Sequence, residues 1–246
     1  MVAPGSPFDA LVDKYDAARP AYPDGLYDAL PPLAGARVVE VGAGTGISTR
    51  GLLARGADVT AFDIGPKMLG RLRANGSPGP GTLRGVAVAD GHALPLRDAS
   101  ADLVTYAQAF HWMRPDDAVR EARRVLRPGG AMAIWWNNSD ARDERWWRAQ
   151  QDLLESLNES YGRRYREYDP ARDLAVAFGD VTTATVPWTR HLGIDAYLTY
   201  LASKSYVAAL GDALPAFLTA QRELLGEAFP GGVVEEAFVT RLWVGR

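Results

Sequence analysis

The chain has 246 residues, with 27 Lys+Arg against 30 Asp+Glu, a formal net charge of −3 and no Cys. This composition excludes a disulfide framework, Cys-ligated zinc and a thiol nucleophile, and the mildly acidic balance disfavours general nucleic-acid binding. The densest apolar run, residues 131–136, is too short to span a bilayer, and the first residues carry neither a basic nor an apolar leader segment, so the expectation is a cytoplasmic protein with no membrane partner.

In chain order, prolines and glycines punctuate the sequence at regular intervals. A short helix is expected over 24–30, then a β-branched strand over 36–41. Gly42, Gly44 and Gly46 form a turn, and apolar residues at helical spacing over 47–55 stop at Gly56. A second strand over 57–62 closes at Asp63, and Pro66 opens a helix that runs to about residue 75. Strands follow over 82–89, ending at Asp90, and over 102–106. A helix over 115–126 is stopped by Pro128-Gly-Gly130, and a fifth strand occupies 131–136. Strands alternating with helices imply right-handed βαβ units and a mostly parallel sheet.

After residue 138 the pattern fades. One or two helices are expected over 145–165, a strand over 181–189, helices over 194–201 and 214–229, and a last strand over 233–244. The stretch 139–180 reads as an inserted helical cover over the sheet within one domain of 1–246.

The strongest chemical signal is Val38-Val-Glu-Val-Gly-Ala-Gly-Thr-Gly46. A buried strand runs into three alternate glycines and then a helix. Glycine permits positive φ and leaves no Cβ in the way of a ligand. The following helix points free N–H groups at whatever lies over the turn. In an open parallel sheet this is where ligands bind. A dinucleotide fingerprint, aligned from Gly44, would want glycine at Ile47. The acid at Glu40 suits a cationic ligand better than a diphosphate. A tight turn with no ligand is the plain alternative.

Two more acids end strands. Asp63 can accept both ribose hydroxyls of a nucleoside, or serve only as a cap for the Pro66 helix. Asp90 can accept from an adenine amino group, or be a turn acid. No HExxH pattern, metal-ligand cluster or GxSxG elbow is present.

Glu40-Val-Gly-Ala-Gly-Thr-Gly46, Asp63, Ala89-Asp90-Gly91 with Leu94-Pro-Leu96, and Arg124-Val-Leu-Arg-Pro-Gly-Gly130 resemble the successive motifs of class I S-adenosylmethionine-dependent methyltransferases, type 11. Tyr15-Asp-Ala-Ala-Arg-Pro-Ala-Tyr-Pro23 and Gln108-Ala-Phe-His-Trp112 resemble segments of the trans-aconitate methyltransferase-like subgroup. The resemblance covers about 13–137, the expected cofactor-binding core. It implies an α/β, Rossmann-like fold: a seven-stranded, mostly parallel sheet with the last strand antiparallel and helices on both faces.

The resemblance also implies site roles. Glu40, Gly42, Gly44 and Gly46 would lie against the methionine portion of S-adenosylmethionine. Asp63 would hold the ribose, with Ile64 and Met68 near the adenine and Asp90, beside Gly91, facing its amino group. Gln108 and Ala109 would sit near the sulfonium, and Tyr15 and Arg19 would close over the cofactor, Arg19 meeting its carboxylate.

Methyl transfer from a sulfonium mainly requires the nucleophile held in line and water excluded. His111 is the candidate base for an acceptor that needs one; the alternative is a histidine that shapes the pocket. Trp112 and Trp135 are candidate walls for an acceptor, against the alternative of ordinary core. Trp135 and Trp136 point to opposite faces of a regular strand, so only one can approach a given site. Arg163 or Arg166 could engage an acidic substrate, although neighbouring acids favour a solvated helix.

The expected function is methyl transfer to a small-molecule acceptor, with oxygen favoured over nitrogen or carbon and S-adenosylhomocysteine as product. The protein would act as a monomer or homodimer. Of the basic residues only three are Lys, a composition that leans toward a high-GC genome and secondary metabolism. The rivals are a non-catalytic S-adenosylmethionine-binding scaffold and an NAD(P)-dependent oxidoreductase.

Overall fold

The computed structural model describes residues 19–76, 79–141, 144–162 and 168–246. Within them the strands are β1 (Arg37–Val41), β2 (Asp58–Asp63), β3 (Thr82–Val88), β4 (Ala101–Ala107), β5 (Leu126–Ser139), β6 (Val181–Gly193) and β7 (Val233–Gly245). The helices are α1 (Asp24–Asp28), α2 (Ile47–Ala54), α3 (Pro66–Ala74), α4 (Pro115–Val125), α5 (Arg145–Leu157), α6 (Ala171–Phe178), α7 (Ile194–Ala202), α8 (Ser205–Ala208) and α9 (Leu214–Ala228). The strands form one sheet in the order β3-β2-β1-β4-β5-β7-β6. β7 runs antiparallel to both β5 and β6, and the other pairings are parallel.

Period-2 alternation builds the two layers. Val39, Val41, Val104, Tyr106, Met132 and Ile134 face one side, under Ala118, Val119, Ala122 and Val125 of α4 and Leu174 and Phe178 of α6. Val38, Val59, Leu103, Ala133 and Trp135 face the other, with Leu26 and Tyr27 of α1 and Leu52 and Leu53 of α2. Central strands covered on both faces read as continuous apolar runs, which is why β1 and β4 were legible.

Three elements differ from expectation. β5 begins at Leu126, because Pro128-Gly-Gly130 is a bulge within the strand rather than a loop before it. Pairing jumps from Ala101↔Leu126 to Leu103↔Ala131, with Gly129 at φ 78°. β6 continues past residue 189 to Gly193, because β7 pairs with it along its whole length. Pro187 is tolerated there because β6 is an edge strand. α5 stops at Leu157, where Asn158 turns to φ −134° and ψ 95°.

The cover also differs from a single insertion over 139–180. α6 packs with α4 against the sheet. The cap core instead joins Trp146, Trp147 and Leu154 of α5 to Tyr197, Leu198 and Leu201 of α7 and Phe217 and Leu225 of α9. It therefore comes from two stretches separated by β6. Among the described residues no helix is long and apolar enough to cross a membrane.

Candidate functional site

Chain order reverses on either side of β1, between β2 and β4, so a crevice opens at the carboxyl ends of these strands. The glycine turn enters it. Gly42, Gly44 and Gly46 all have positive φ, at 71°, 56° and 84°. Two are also fixed by packing. A Cβ on Gly42 would stand 2.5 Å from Ala109 Cβ, and one on Gly46 would stand 2.8 Å from Leu72 Cγ. Gly44 has no such clash; its nearest neighbour would be the Met68 methyl at 3.5 Å. Gly46 is the N-cap of α2, so that helix begins directly over the turn.

Glu40 points into the base of the turn and is 0% exposed. Thr49, in the first turns of α2, donates its hydroxyl to Oε2 at 2.6 Å. Oε1 is buried without a hydrogen-bond partner, as are Thr45 Oγ1 and Ser48 Oγ nearby. Burial pushes the Glu40 carboxyl up to about 7, against the pull of the Thr49 hydroxyl and the nearby Ser48 hydroxyl. A buried acceptor left open beside a cradle of positive-φ glycines fits a cationic ligand group. The ammonium of an amino-acid moiety answers to that chemistry.

Asp63 does two jobs. Its Oδ2 accepts the Gly44 N–H at 2.9 Å and its Oδ1 accepts the Gly65 N–H at 2.7 Å. The second bond is the helix-entry role that the sequence left open, since Gly65 is the N-cap of α3. A carboxylate offers about four acceptor sites, more than these two backbone donors use. Ile64 beside it is 48% exposed, whereas Met68 is buried under the turn.

Asp90 Oδ1 accepts from the His92 backbone N–H at 2.9 Å and from its Nδ1. The His92 backbone bond is the largest influence holding the Asp90 carboxyl below its usual range. His92 Nε2 in turn accepts the Arg114 N–H at 2.9 Å. This relay tethers the Asp90 loop to the entrance of α4, a role for His92 that its sequence setting did not announce. Gly91 is required by packing: a Cβ there would stand 2.6 Å from Val41 Cγ1.

β4 ends in a sharp reversal. Gln108 adopts φ 56°, uncommon for a side-chain-bearing residue. Its N–H donates to Trp135 O at 2.9 Å and its Nε2 to Asn137 O at 3.2 Å. These two bonds from β5 hold the strained turn, which seats Ala109 against Gly42 and launches a short 3-10 turn, Phe110–Trp112.

His111 stands on that turn. Trp136 Nε1–H donates to His111 Nδ1 at 3.2 Å. Indole is only a donor, so Nδ1 is the acceptor and the proton of the neutral ring sits on Nε2. Although His111 is exposed overall, packing of its ring beside Trp112 and Trp136 partly desolvates it and pushes the imidazole down to about 4, so it is neutral at pH 7. The ring therefore offers an N–H outward, and its remaining lone pair is already occupied. Trp112 lies beside it, ring centroids 5.0 Å apart, and is 59% exposed.

Trp135 does not share that wall. Its ring is fully buried in the opposite layer, edge-on to Tyr22 at 6.0 Å. Trp136, on the other face, is the neighbour that reaches the mouth. Arg19 is placed by the cap: its Nη2 donates to Ser203 O at 3.1 Å and its guanidinium lies 5.9 Å from the Tyr200 ring. Tyr15, Arg163 and Arg166 lie outside the described residues. Among the described residues no metal-holding cluster occurs.

A family model described as a methyltransferase domain matches residues 39–134. An uncharacterized methyltransferase of Mycobacterium tuberculosis is 42% identical over 204 residues, covering 81% of this chain and 76% of its own length. A malonyl-[acyl-carrier protein] O-methyltransferase of Halorhodospira halophila is 40% identical over 134 residues, 51% of this chain and 44% of that one. A solved structure from Anaeromyxobacter dehalogenans, assigned as a type II methyltransferase, superposes with TM-score 0.63 at 25% identity, covering 93% of this chain and 97% of that one.

Proposed function

The chain belongs to the class I S-adenosylmethionine-dependent methyltransferases, and on that premise we propose that it methylates a small-molecule acceptor, at oxygen by preference. The observation that carries the reading is the pairing of an open, buried Glu40 Oε1 with the glycine turn that Asp63 ties down. Glu40 and the Gly42–Gly46 backbone would hold the amino-acid end of the cofactor. Asp63 would take the ribose hydroxyls, Ile64 would cover the base, and Asp90 would receive its amino group. When bound, the cofactor supplies an electrophilic methyl group: the S–C bond breaks as the acceptor's lone pair forms the new bond, leaving a thioether.

The chain's own contribution is orientation and exclusion of water. The Gln108 reversal and Ala109 set the floor beside the turn. Trp112 and Trp136 wall the mouth, and His111 presents Nε2–H to an acceptor oxygen. A donor at that point positions an oxygen nucleophile that is already anionic; it does not deprotonate one. The stretch shared with the malonyl-[acyl-carrier protein] O-methyltransferase supports oxygen as the acceptor atom. Incubation with methyl-labelled S-adenosylmethionine and a panel of small carboxylic acids, phenols and amines tests this. Label is expected in a carboxylate or other oxygen product, with stoichiometric S-adenosylhomocysteine. Cofactor binding without transfer to any panel member would favour the scaffold reading instead.

A further inference from the structure

The cap carries a cation that none of the roles above uses. Lys204 follows α7 and is 8% exposed. Its Nζ lies 4.4 Å from the Tyr200 ring centroid and 6.0 Å from that of Tyr206. No carboxylate lies within ion-pair reach of Lys204 among the described residues. A nearby carboxylate, Glu236, is 1% exposed and accepts two bonds from Arg190, at 2.7 and 2.9 Å. The Arg190 guanidinium lies 3.9 Å from the Tyr200 ring, and that of Arg19 lies 5.9 Å from it. Three cationic side chains thus converge on one buried tyrosine.

An ammonium removed from water without a counter-ion is costly. Contact with aromatic faces offsets only part of that cost. Among the described residues Lys204 has no counter-ion, and an anionic ligand would supply one. The place is also suitable. The strip from Arg19 to Tyr22 joins this cluster to the end of β5. Asn137 Nδ2 donates to Ala21 O at 3.5 Å, and Asn137 O receives the Gln108 side chain. Arg19 and Tyr22 are at most about 11 Å apart along the chain, which brings the cap cations near the Gln108 turn.

We propose that Lys204, with Arg19 and Arg190 around Tyr200, binds an anionic oxygen group, carboxylate or phosphate, carried by the methyl acceptor. The anion site stands on these residues alone; naming the acceptor as its carrier rests on the methyltransferase reading. Lys204 supplies a point charge with three donors, and the guanidinium groups set the field around it.

The test is a calorimetric titration of the full chain with malonate and, separately, inorganic phosphate, each with and without saturating S-adenosylhomocysteine. At least one anion is expected to bind. Lys204→Met should weaken it about tenfold to a hundredfold, Lys204→Arg should retain most of the affinity, and neither should alter S-adenosylhomocysteine binding. Malonate binding identifies the carboxylate arm and phosphate binding the other. Should Lys204→Met fail to fold, Lys204→Gln serves the same comparison. Absence of binding by both anions, or equal binding by the Lys204→Met protein, would overturn the site. Lys204-dependent anion binding in a chain that fails to bind S-adenosylhomocysteine would uphold the site and sink the cofactor reading.

Discussion

Gly44 donates its backbone N–H to Asp63 Oδ2 at 2.9 Å, joining the middle of the glycine turn to the end of β2. The same carboxylate holds Gly65 at the entrance of α3. One side chain therefore sets two backbone segments at once.

Asp63→Ala is expected to lower stability by about 1–2 kcal/mol, since two N–H groups lose their acceptor. S-adenosylhomocysteine affinity should fall about tenfold to a hundredfold through the lost ribose contacts. Asp63→Asn keeps one oxygen acceptor and should recover part of the stability. Thermal unfolding and titration of both variants provide the readout; unchanged affinity in Asp63→Ala would remove the ribose role.

Glu40 gives the fold a pH dependence. Burial raises its carboxyl from the ordinary 4.5 to about 7, so the native state holds this proton more tightly than the unfolded chain does. Its effect on stability is nil below about pH 4.5. Stability then declines as pH rises toward about 7, by up to about 3 kcal/mol in all, and the loss is level above that. Glu40→Gln should remove this slope. In urea denaturation at pH 5 and pH 8, the stability of Glu40→Gln relative to the parent should grow with pH; parallel profiles would contradict the assignment. A bound ammonium favours the ionised carboxyl, so S-adenosylhomocysteine affinity should rise from pH 6 to 8 in the parent and stay flat in the variant.

His111 is expected to leave no titration in the working range. Its pKa is pushed down to about 4 and its Nδ1 accepts from Trp136. Once an acceptor is known, kcat/KM should show no His111-dependent inflection between pH 5.5 and 8. His111→Gln, which preserves a donor, should retain more activity than His111→Phe. An inflection near pH 6.5 that vanishes in both variants would restore the base role.

The buried Arg190–Glu236 pair ties β6 to β7 as cross-strand partners, with side chains 12% and 1% exposed, and its guanidinium lies 3.9 Å from the Tyr200 ring of the cap. Removing Glu236 takes two charge-assisted bonds from a largely buried guanidinium. Glu236→Gln should cost about 3 kcal/mol or more, measured by urea denaturation. A loss within 0.5 kcal/mol, the usual range for a surface substitution, would show that the pair is not a structural anchor.

The parts of this molecule legible in its sequence are those set by short-range pattern. β1, the glycine turn, Asp63 and α3 follow one another within 40 residues, and each has a local physical signature: β-branching, positive φ, a strand-end acid, a proline at the helix start. Alternation separated Trp135 from Trp136 correctly but could not say which face closes over a core and which reaches the mouth. That depends on Tyr22 and α1 folding over Trp135. The cap was the least legible part. Lys204, Arg190 and Glu236 come from three elements, and convergence on Tyr200 has no sequence period. The His111–Trp136 bond likewise joins two strand ends far apart in the chain, so the histidine's residue type suggested a base where its partner makes it a donor.

The central claim is that the turn after β1, with Glu40 and Asp63, holds the sulfur nucleoside. The direct test is calorimetric titration of the full chain with S-adenosylhomocysteine and with NADPH, at pH 8 where Glu40 is ionised. The account predicts binding of S-adenosylhomocysteine with a Kd on the order of micromolar, and no binding of NADPH. Binding of NADPH in its place, or of neither compound, would contradict it.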